Sequence, residues 1–429
     1  MNRFIRVSIF ILTGIFALLL TSCKKGVSLS ETDFKEMYSS SSDIHQPQFQ
    51  VYHASDSESE IYYMFENKSL KYVTDNQSSS YMANVKISWQ LYSDFSSKEV
   101  IDSSSFVKFD TAATSGLAQL QGMFKLTITT GRNYILKITT TDLNTKAKTI
   151  SFLNLNKRDI TSRQFFKVIL KENNSILFRN YFYKHENLAI VYRQKSNPSV
   201  VAKNYKTVFP VSSPPFSLSK ANPFNFDDFY TLEVGFINDT LHFQADEPGI
   251  YHFGITSDER YSGLTLFQYS KEFPEINTTQ EMLDPLRFLT SMKEFGKMRK
   301  YKDPKKAVDQ FWLSTAKDSD KSRKLVKGFY QRVESANYYY TSFKEGWKTD
   351  RGIIFIVFGP PSIVYRSLTG ESWTYGEQSN YKSLTFNFSK VNNPFTNNDY
   401  VLQRSTVYKN PWYRAVDTWR QGKVTSLDY

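Results

Sequence analysis

The N-terminal part of the chain carries short runs in which apolar and polar residues alternate, the pattern of half-buried β-strands. Residues 85–91 (Val-Lys-Ile-Ser-Trp-Gln-Leu) and 124–128 alternate, and residues 134–138 form a further strand candidate. Polar turn residues separate these runs. The pattern predicts an antiparallel, immunoglobulin-like β-sandwich over residues 49–158.

A second set of short apolar runs begins near residue 164, with strand candidates at residues 165–170, 188–192 and 231–236. Pro210, Pro214 and Pro215 interrupt this set, and a central strand cannot pass through them. We therefore expect a second antiparallel β-sandwich over residues 159–272.

The period of the apolar residues changes near residue 280 to three or four, which is typical of helices. One predicted helix face is formed by Met282, Leu286, Leu289, Met292 and Phe295. Further helices are predicted after Asp303-Pro304, a cap and first-turn pair, and along residues 325–340. Short strand-like runs and a terminal helix follow. Residues 280–429 are thus predicted to form a helical segment and a small-sheet α+β domain, so that the fold class is multidomain, mainly β and then α+β.

The densest positional pattern lies where the helices end. It is Gly346-Trp347-Lys348-Thr349-Asp350-Arg351-Gly352, followed by the apolar run 353–358 and by Gly359-Pro360-Pro361. Gly346 is expected to end the preceding helix in a left-handed conformation, and Thr349 and Asp350 to bond backbone N–H groups of a turn. The apolar run lacks alternation, which favours a central strand buried on both faces. The two prolines would then turn the chain away from the sheet.

The N-terminus has the composition of an export signal. Arg3 and Arg6 precede the apolar stretch 7–20, and small residues then lead to Cys23, the single cysteine of the chain. This stretch resembles a bacterial lipoprotein signal, which implies that residues 1–22 are removed and that lipidated Cys23 anchors the protein to the membrane. The polar residues 23–48 are predicted to be a flexible tether. Lys24-Lys25 stands where surface-exported lipoproteins carry acidic residues, which favours the periplasmic side of the outer membrane.

The C-terminal motif resembles that of the GWxTD domain family, whose members are bacterial, common in Bacteroidetes and often exported. Residues 329–337, 346–350 and 371–375 carry the resemblance. Ser362-Ile363 replaces an acidic residue that members commonly have after the two prolines. The family offers no established activity to carry over.

Composition excludes only a few classes of partner and site. The formal charge of +12 is compatible with nucleic-acid or membrane contact, but the cations are scattered among acidic residues, so we expect no nucleic-acid partner. The five histidines show no metal spacing, none lies beyond His252, and no phosphate-binding glycine loop is present, so no metal, cofactor or catalytic triad is predicted.

Three functions remain open at this point. The favoured one is a non-enzymatic envelope lipoprotein that binds a protein partner, with no catalytic residue. The second is glycan or peptidoglycan binding through exposed tyrosines and tryptophans. The third is a hydrolase in which Asp350, beside Arg351, and Glu371 act as acid and base.

Overall fold

The computed structural model describes residues 28–38, 47–74, 81–111, 119–193, 200–205, 209–218, 224–237, 239–255, 263–269, 272–316, 319–377 and 383–424. Cys23 and the predicted signal at residues 1–22 lie outside the described residues.

Eight strands form the first β-sandwich. They are β1 (Gln48–Tyr52), β2 (Glu58–Glu66), β3 (Val73–Thr74), β4 (Tyr81–Tyr92), β5 (Asp102–Thr111), β6 (Gln119–Thr127), β7 (Asn133–Asp142) and β8 (Lys148–Asn156). One antiparallel sheet has the order β1-β2-β6, and the other has β3-β4-β7-β8 with β5 also paired to β4. Alternate residues of β4, among them Val85, Ile87 and Trp89, face the core between the sheets, as the sequence pattern predicted.

Ten strands form the second β-sandwich. They are β9 (Phe166–Leu170), β10 (Ser175–Ile176), β11 (Tyr181–Tyr183), β12 (Leu188–Tyr192), β13 (Val201–Tyr205), β14 (Tyr230–Leu232), β15 (Phe236–Ile237), β16 (Thr240–Phe243), β17 (Gly249–Gly254) and β18 (Leu264–Tyr269). The sheet orders are β10-β9-β12-β16-β15 and β11-β18-β17-β13-β14. All pairs are antiparallel except β11 with β18. The predicted class, β-sandwiches followed by an α+β region, is confirmed.

Helices and a small sheet make up the C-terminal region. The helices are α1 (Thr279–Leu283), α2 (Met292–Met298), α3 (Pro304–Ala316), α4 (Ser319–Tyr340), α5 (Asp350–Phe358) and α6 (Lys409–Arg420). The strands are β19 (Ile363–Arg366), β20 (Gly370–Tyr375), β21 (Leu384–Lys390) and β22 (Tyr400–Leu402), antiparallel in chain order. Among the helices of the described residues, none is long and apolar enough to cross a membrane.

The predicted helix face from Met282 to Phe295 is broken into separate helices. Capping boxes at Thr278 and Ser291 each begin a new helix, and Pro285 lies in a 3-10 turn between them. As a result Met292, which the pattern placed on the buried face, is 95% exposed. The pattern failed here because two cap signals outweigh the apolar period.

The prediction of a central strand at residues 353–358 is wrong, because this run is the main part of helix α5. Every residue from Asp350 to Val357 is buried, so the helix is buried on all sides, and its apolar residues 353–358 show no amphipathic period. An apolar run of this length fits a buried strand or a buried helix equally well by periodicity. Helix α5 packs against α4, α6 and β22 at the centre of the C-terminal core.

The predicted flexible tether is corrected for residues 28–38, which are packed against the body. We call residues 28–38 the N-terminal segment. It contains short 3-10 helices at Leu29–Glu31 and Lys35–Met37. Phe34 donates its N–H to the Val364 carbonyl of β19 at 2.7 Å, and its ring lies 4.5 Å from that of Phe152 in β8. The N-terminal segment therefore joins the first sandwich to the C-terminal sheet.

Candidate functional site

The two outer glycines of the motif permit the backbone to fold tightly around Thr349. A Cβ on Gly346 would lie 1.8 Å from the Ala336 carbonyl oxygen of α4, and one on Gly352 would lie 1.9 Å from the Gly346 carbonyl oxygen. Gly346 begins a 3-10 turn at Gly346–Lys348. The prediction that it ends a helix in a left-handed conformation is therefore wrong, since α4 already ends at Tyr340.

Thr349 is the N-cap of α5. Its hydroxyl accepts the N–H of Gly352 at 3.0 Å and donates to the Gly346 carbonyl at 2.7 Å. A capping hydroxyl satisfies one of the backbone N–H groups that a helix start leaves without a partner. Trp347 is half-buried, and its backbone N–H donates to the Asn337 side-chain oxygen of α4 at 3.2 Å. The motif thus connects α4 to the start of α5.

Asp350 follows the cap and is buried. Its Oδ2 accepts the backbone N–H of Leu402 at 2.8 Å, and its two oxygens accept from the Arg404 guanidinium at 2.5 and 3.0 Å. Both carboxylate oxygens are therefore hydrogen-bonded, to a bidentate guanidinium and to a backbone N–H. Asp350 therefore fixes β22 and the chain after it to the start of α5.

Arg351 and Glu371 meet inside the domain. Arg351 Nη1 lies 3.2 Å from Glu371 Oε1, and Arg366 Nε lies 2.9 Å from the same oxygen. Tyr38 of the N-terminal segment and the Trp373 indole also donate to Glu371, at distances of 3.0 to 3.1 Å. The Glu371 side chain is 0% exposed. We call these five residues the buried carboxylate network.

Electrostatics keep the buried carboxylate network charged. Burial raises the pKa of Glu371, but Arg366 and Arg351 lower it more, so the pKa of this carboxyl lies below its ordinary value. Burial and the charge of Glu371 raise the pKa of Tyr38, which keeps its hydroxyl a donor. Arg351 also lies 3.9 Å from the centre of the Tyr400 ring, a cation–π distance. The network holds the buried Glu371 carboxylate between two guanidiniums.

The C-terminal end of α5 is also closed by side chains. Arg332 of α4 donates to the Ile356 carbonyl at 3.3 Å, and the Trp419 indole of α6 donates to the Val357 carbonyl at 3.0 Å. Gly359 ends the helix with φ at +85°, which few other residues adopt. Pro360 and Pro361 then lead into β19. Since backbone carbonyls in a dry core need donors, these contacts make the burial of α5 possible.

The arrangement offers little to acid–base chemistry. Asp350 and Glu371 are 5% and 4% exposed, and each is held by its own arginine partners. A general acid or base needs access to substrate and a pKa near the working pH, whereas Glu371 is held ionised. These contacts argue against the hydrolase hypothesis that paired Asp350 with Glu371.

The tryptophans do not support the glycan hypothesis, although several tyrosines, among them Tyr81, Tyr230 and Tyr413, are exposed. Five of the six tryptophans are buried, and Trp347 is half-buried against the core. Sugar-binding surfaces need exposed rings on which a sugar can stack, and the tryptophans do not provide them.

Two described histidines, His53 and His252, make local hydrogen bonds. His252 is buried and bonds the Thr265 hydroxyl at 2.8 Å, whereas His242 is exposed in the opposite sheet. His53 bonds Ser59 at 2.8 Å, and Lys157 reaches the same hydroxyl at 3.2 Å. Burial lowers the pKa of His53 to about 4, so the ring is neutral and bonds its neighbours. Within the described residues, no group of three or more potential metal ligands converges.

Sequence reasoning missed several residues that complete this site: Tyr38, Arg332, Arg366, Tyr400, Arg404 and Asn398, whose backbone carbonyl accepts from Arg351 Nη2 at 3.0 Å. One signal was available, because Arg332 follows Phe329 at helical spacing and thus lies on the buried side of α4. The other partners come from distant loops and strands, and nothing in the local pattern marks them.

The sequence of the C-terminal region matches a known protein family. No curated protein matches this chain. Residues 249–421 match the model of the GWxTD domain. This range includes the motif, the last strands of the second sandwich and every residue of the buried carboxylate network except Tyr38. The chain thus carries a GWxTD domain over residues 249–421.

Proposed function

We propose that this chain is a bacterial outer-membrane lipoprotein of Bacteroidetes type, anchored through Cys23 and facing the periplasm. In this proposal it acts as a structural or protein-interaction component of the envelope and catalyses no reaction. The leader supports the anchor, since Arg3 and Arg6, the apolar stretch and the small residues before Cys23 occur in the order that export and lipidation require.

The non-enzymatic part of the proposal rests on one observation, which is that the candidate acid–base residues bond other parts of the protein. Asp350, Arg351 and Glu371 are all buried, and all bond other parts of the domain. Paired groups with shifted pKa values are candidates for catalysis only where they line a cleft. Groups that close a helix and join a sheet are instead typical of a scaffold.

Lipidation is tested by labelling with an alkyne fatty acid. The full chain, expressed with its leader in a bacterial host, is expected to take up the label and to fractionate with the outer membrane. Cys23→Ala should remove the label, because the thiol is the acyl acceptor, whereas Ser22→Ala keeps a small residue and should retain it. Label that persists in Cys23→Ala would overturn the anchor.

The interaction role is tested by capture of the tagged lipoprotein from crosslinked, detergent-solubilised envelopes. We expect one or more envelope proteins to be recovered reproducibly, and expect their recovery to fall in the unanchored Cys23→Ala form. A capture that recovers the same proteins as an unrelated tagged lipoprotein would contradict a specific partner.

A further inference from the structure

A strongly basic surface lies on α2, on α3 and on the turn between them. Residues 293–306 contain seven Lys or Arg and two acidic residues, a net charge of +5 in a chain whose total is +12. All seven cations are exposed. We call this stretch the basic surface. The whole-chain composition hid it, because the remaining charges are more evenly mixed.

The nearby carboxylates neutralise few of these cations. Glu294 is bound by Arg420 of α6 at 2.8 and 2.9 Å and by the backbone N–H of Ser291. Asp303 accepts the backbone N–H of Lys305 at 2.9 Å at the start of α3. Among the described residues, Lys305 is the one cation of the basic surface with an ion pair, to Asp309. The surface is therefore left with a positive field.

Apolar side chains stand beside these cations. Met292 is 95% exposed at the start of α2, and Leu313 is 65% exposed on the outer side of α3. Leu313 follows Lys306 by seven residues, so the two share one side of the helix. Exposed cations with projecting apolar side chains are the composition of surfaces that lie on anionic membranes.

We propose that the basic surface binds anionic phospholipid headgroups, with Met292 and Leu313 entering the interface. The fold of α3 does not need these groups, because its opposite side, with Val308 and Trp312, forms the packing contact with the core. This contact is separate from the acyl anchor. Its failure would leave the proposed anchoring at Cys23 untouched.

The test is co-sedimentation with vesicles, using a soluble form of residues 24–429, which retains every described residue and cannot be acylated. The protein should sediment with phosphatidylcholine vesicles that contain phosphatidylglycerol, but not with pure phosphatidylcholine. Binding should fall as salt rises from about 0.05 to about 0.5 M, because the screening length shortens.

Charge reversal localises the contact. The combined variant Lys297→Glu, Lys300→Glu, Lys302→Glu and Lys306→Glu should weaken binding by at least about tenfold. The control reverses four exposed lysines of the first sandwich, Lys86, Lys98, Lys108 and Lys148, so that its net charge is the same. The control should bind like the unaltered protein, and circular dichroism shows that both variants fold.

Three results would overturn the proposal. One is an absence of binding to the anionic vesicles, and another is an equal loss in the two charge-reversal variants. The third is binding of polyglutamate without vesicle binding, which would assign the surface to an acidic protein instead. Replacing Met292 and Leu313 by Ser should weaken vesicle binding and leave its salt dependence unchanged.

Discussion

The Glu371 carboxylate is buried and is contacted by two arginines, the Tyr38 hydroxyl and the Trp373 indole. Its strand alternates, so Glu371 and Trp373 share the buried side of β20. That alternation predicts an inward carboxylate, although it does not reveal the partners. Arg351 comes from α5, Arg366 from β19 and Tyr38 from the N-terminal segment, and only the tertiary fold brings them together.

Replacing Glu371 by Gln should destabilise the protein strongly. Buried Arg351 and partly buried Arg366 would lose their counter-charge. Breaking a buried ion pair from one side costs about 3–5 kcal/mol. The free energy of unfolding in urea measures this loss. Asp309→Asn, which removes the partner of exposed Lys305, should cost at most about 1 kcal/mol. Equal losses in the two variants would contradict the importance of burial.

The same carboxyl should make stability depend on pH. The pKa of Glu371 is lower in the folded protein than its ordinary value of 4.5. The folded state therefore holds this proton less tightly than the unfolded state does, and the contribution is full above pH 4.5. It is lost as the pH falls through the folded-state pKa. We expect the stability difference between the wild type and Glu371→Gln to shrink below pH 4.5, and a constant difference down to acid unfolding would disprove this.

At the scale of elements, helix α5 explains why the apolar run could not be assigned from its own sequence. The strand prediction rested on the absence of alternation, and that absence follows equally from a helix whose whole circumference is buried. The evidence for a helix lies outside the run: Thr349 caps the start, and Gly359 ends it at positive φ. Cap residues read together with the run would have indicated a helix.

The close contact between the motif and α4 is tested by comparing alanine substitutions at two glycines. Gly346→Ala would place a methyl group 1.8 Å from the Ala336 carbonyl oxygen, so the motif turn and α4 must separate. We expect a loss of about 1–3 kcal/mol or more, as for overpacked sites. Gly296→Ala in α2 meets no atom within 4 Å, and should stabilise its helix by up to about 1 kcal/mol. Thermal unfolding of both variants compares them, and a neutral Gly346→Ala would contradict the close approach.

At the scale of the whole molecule, the class of the fold followed from the sequence, but the connection between its parts did not. Alternation predicted the sandwiches because each sheet has one face in a core. The N-terminal segment has few apolar residues, and its polar composition indicated a tether. Leu29, Phe34 and Tyr38 are nonetheless buried, because they fill gaps that the first sandwich and the C-terminal sheet leave between them.

This docking shortens the reach of the proposed anchor. A free tether over residues 23–48 would extend to roughly 90 Å, whereas the five residue-to-residue steps from Cys23 to Ser28 span at most about 18 Å. If Cys23 is lipidated, the docked segment therefore brings the junction of the first sandwich and the C-terminal sheet close to the membrane. The basic surface would then act on a body already held near lipid.

Phe34 is the residue that tests the docking. Its ring packs on Phe152 and Phe95, and its N–H bonds the Val364 carbonyl. Phe34→Ala should cost about 3–5 kcal/mol in unfolding free energy if the segment is part of the core. Hydrogen exchange should show slow amides at Phe34 and Ser30 in the wild type and faster exchange in the variant, since both donate to carbonyls of the body. Lys35→Ala, at an exposed neighbour, should change neither measurement. A free tether would give fast exchange in the wild type and no loss of stability in Phe34→Ala. These two results together would show that the N-terminal segment is not docked.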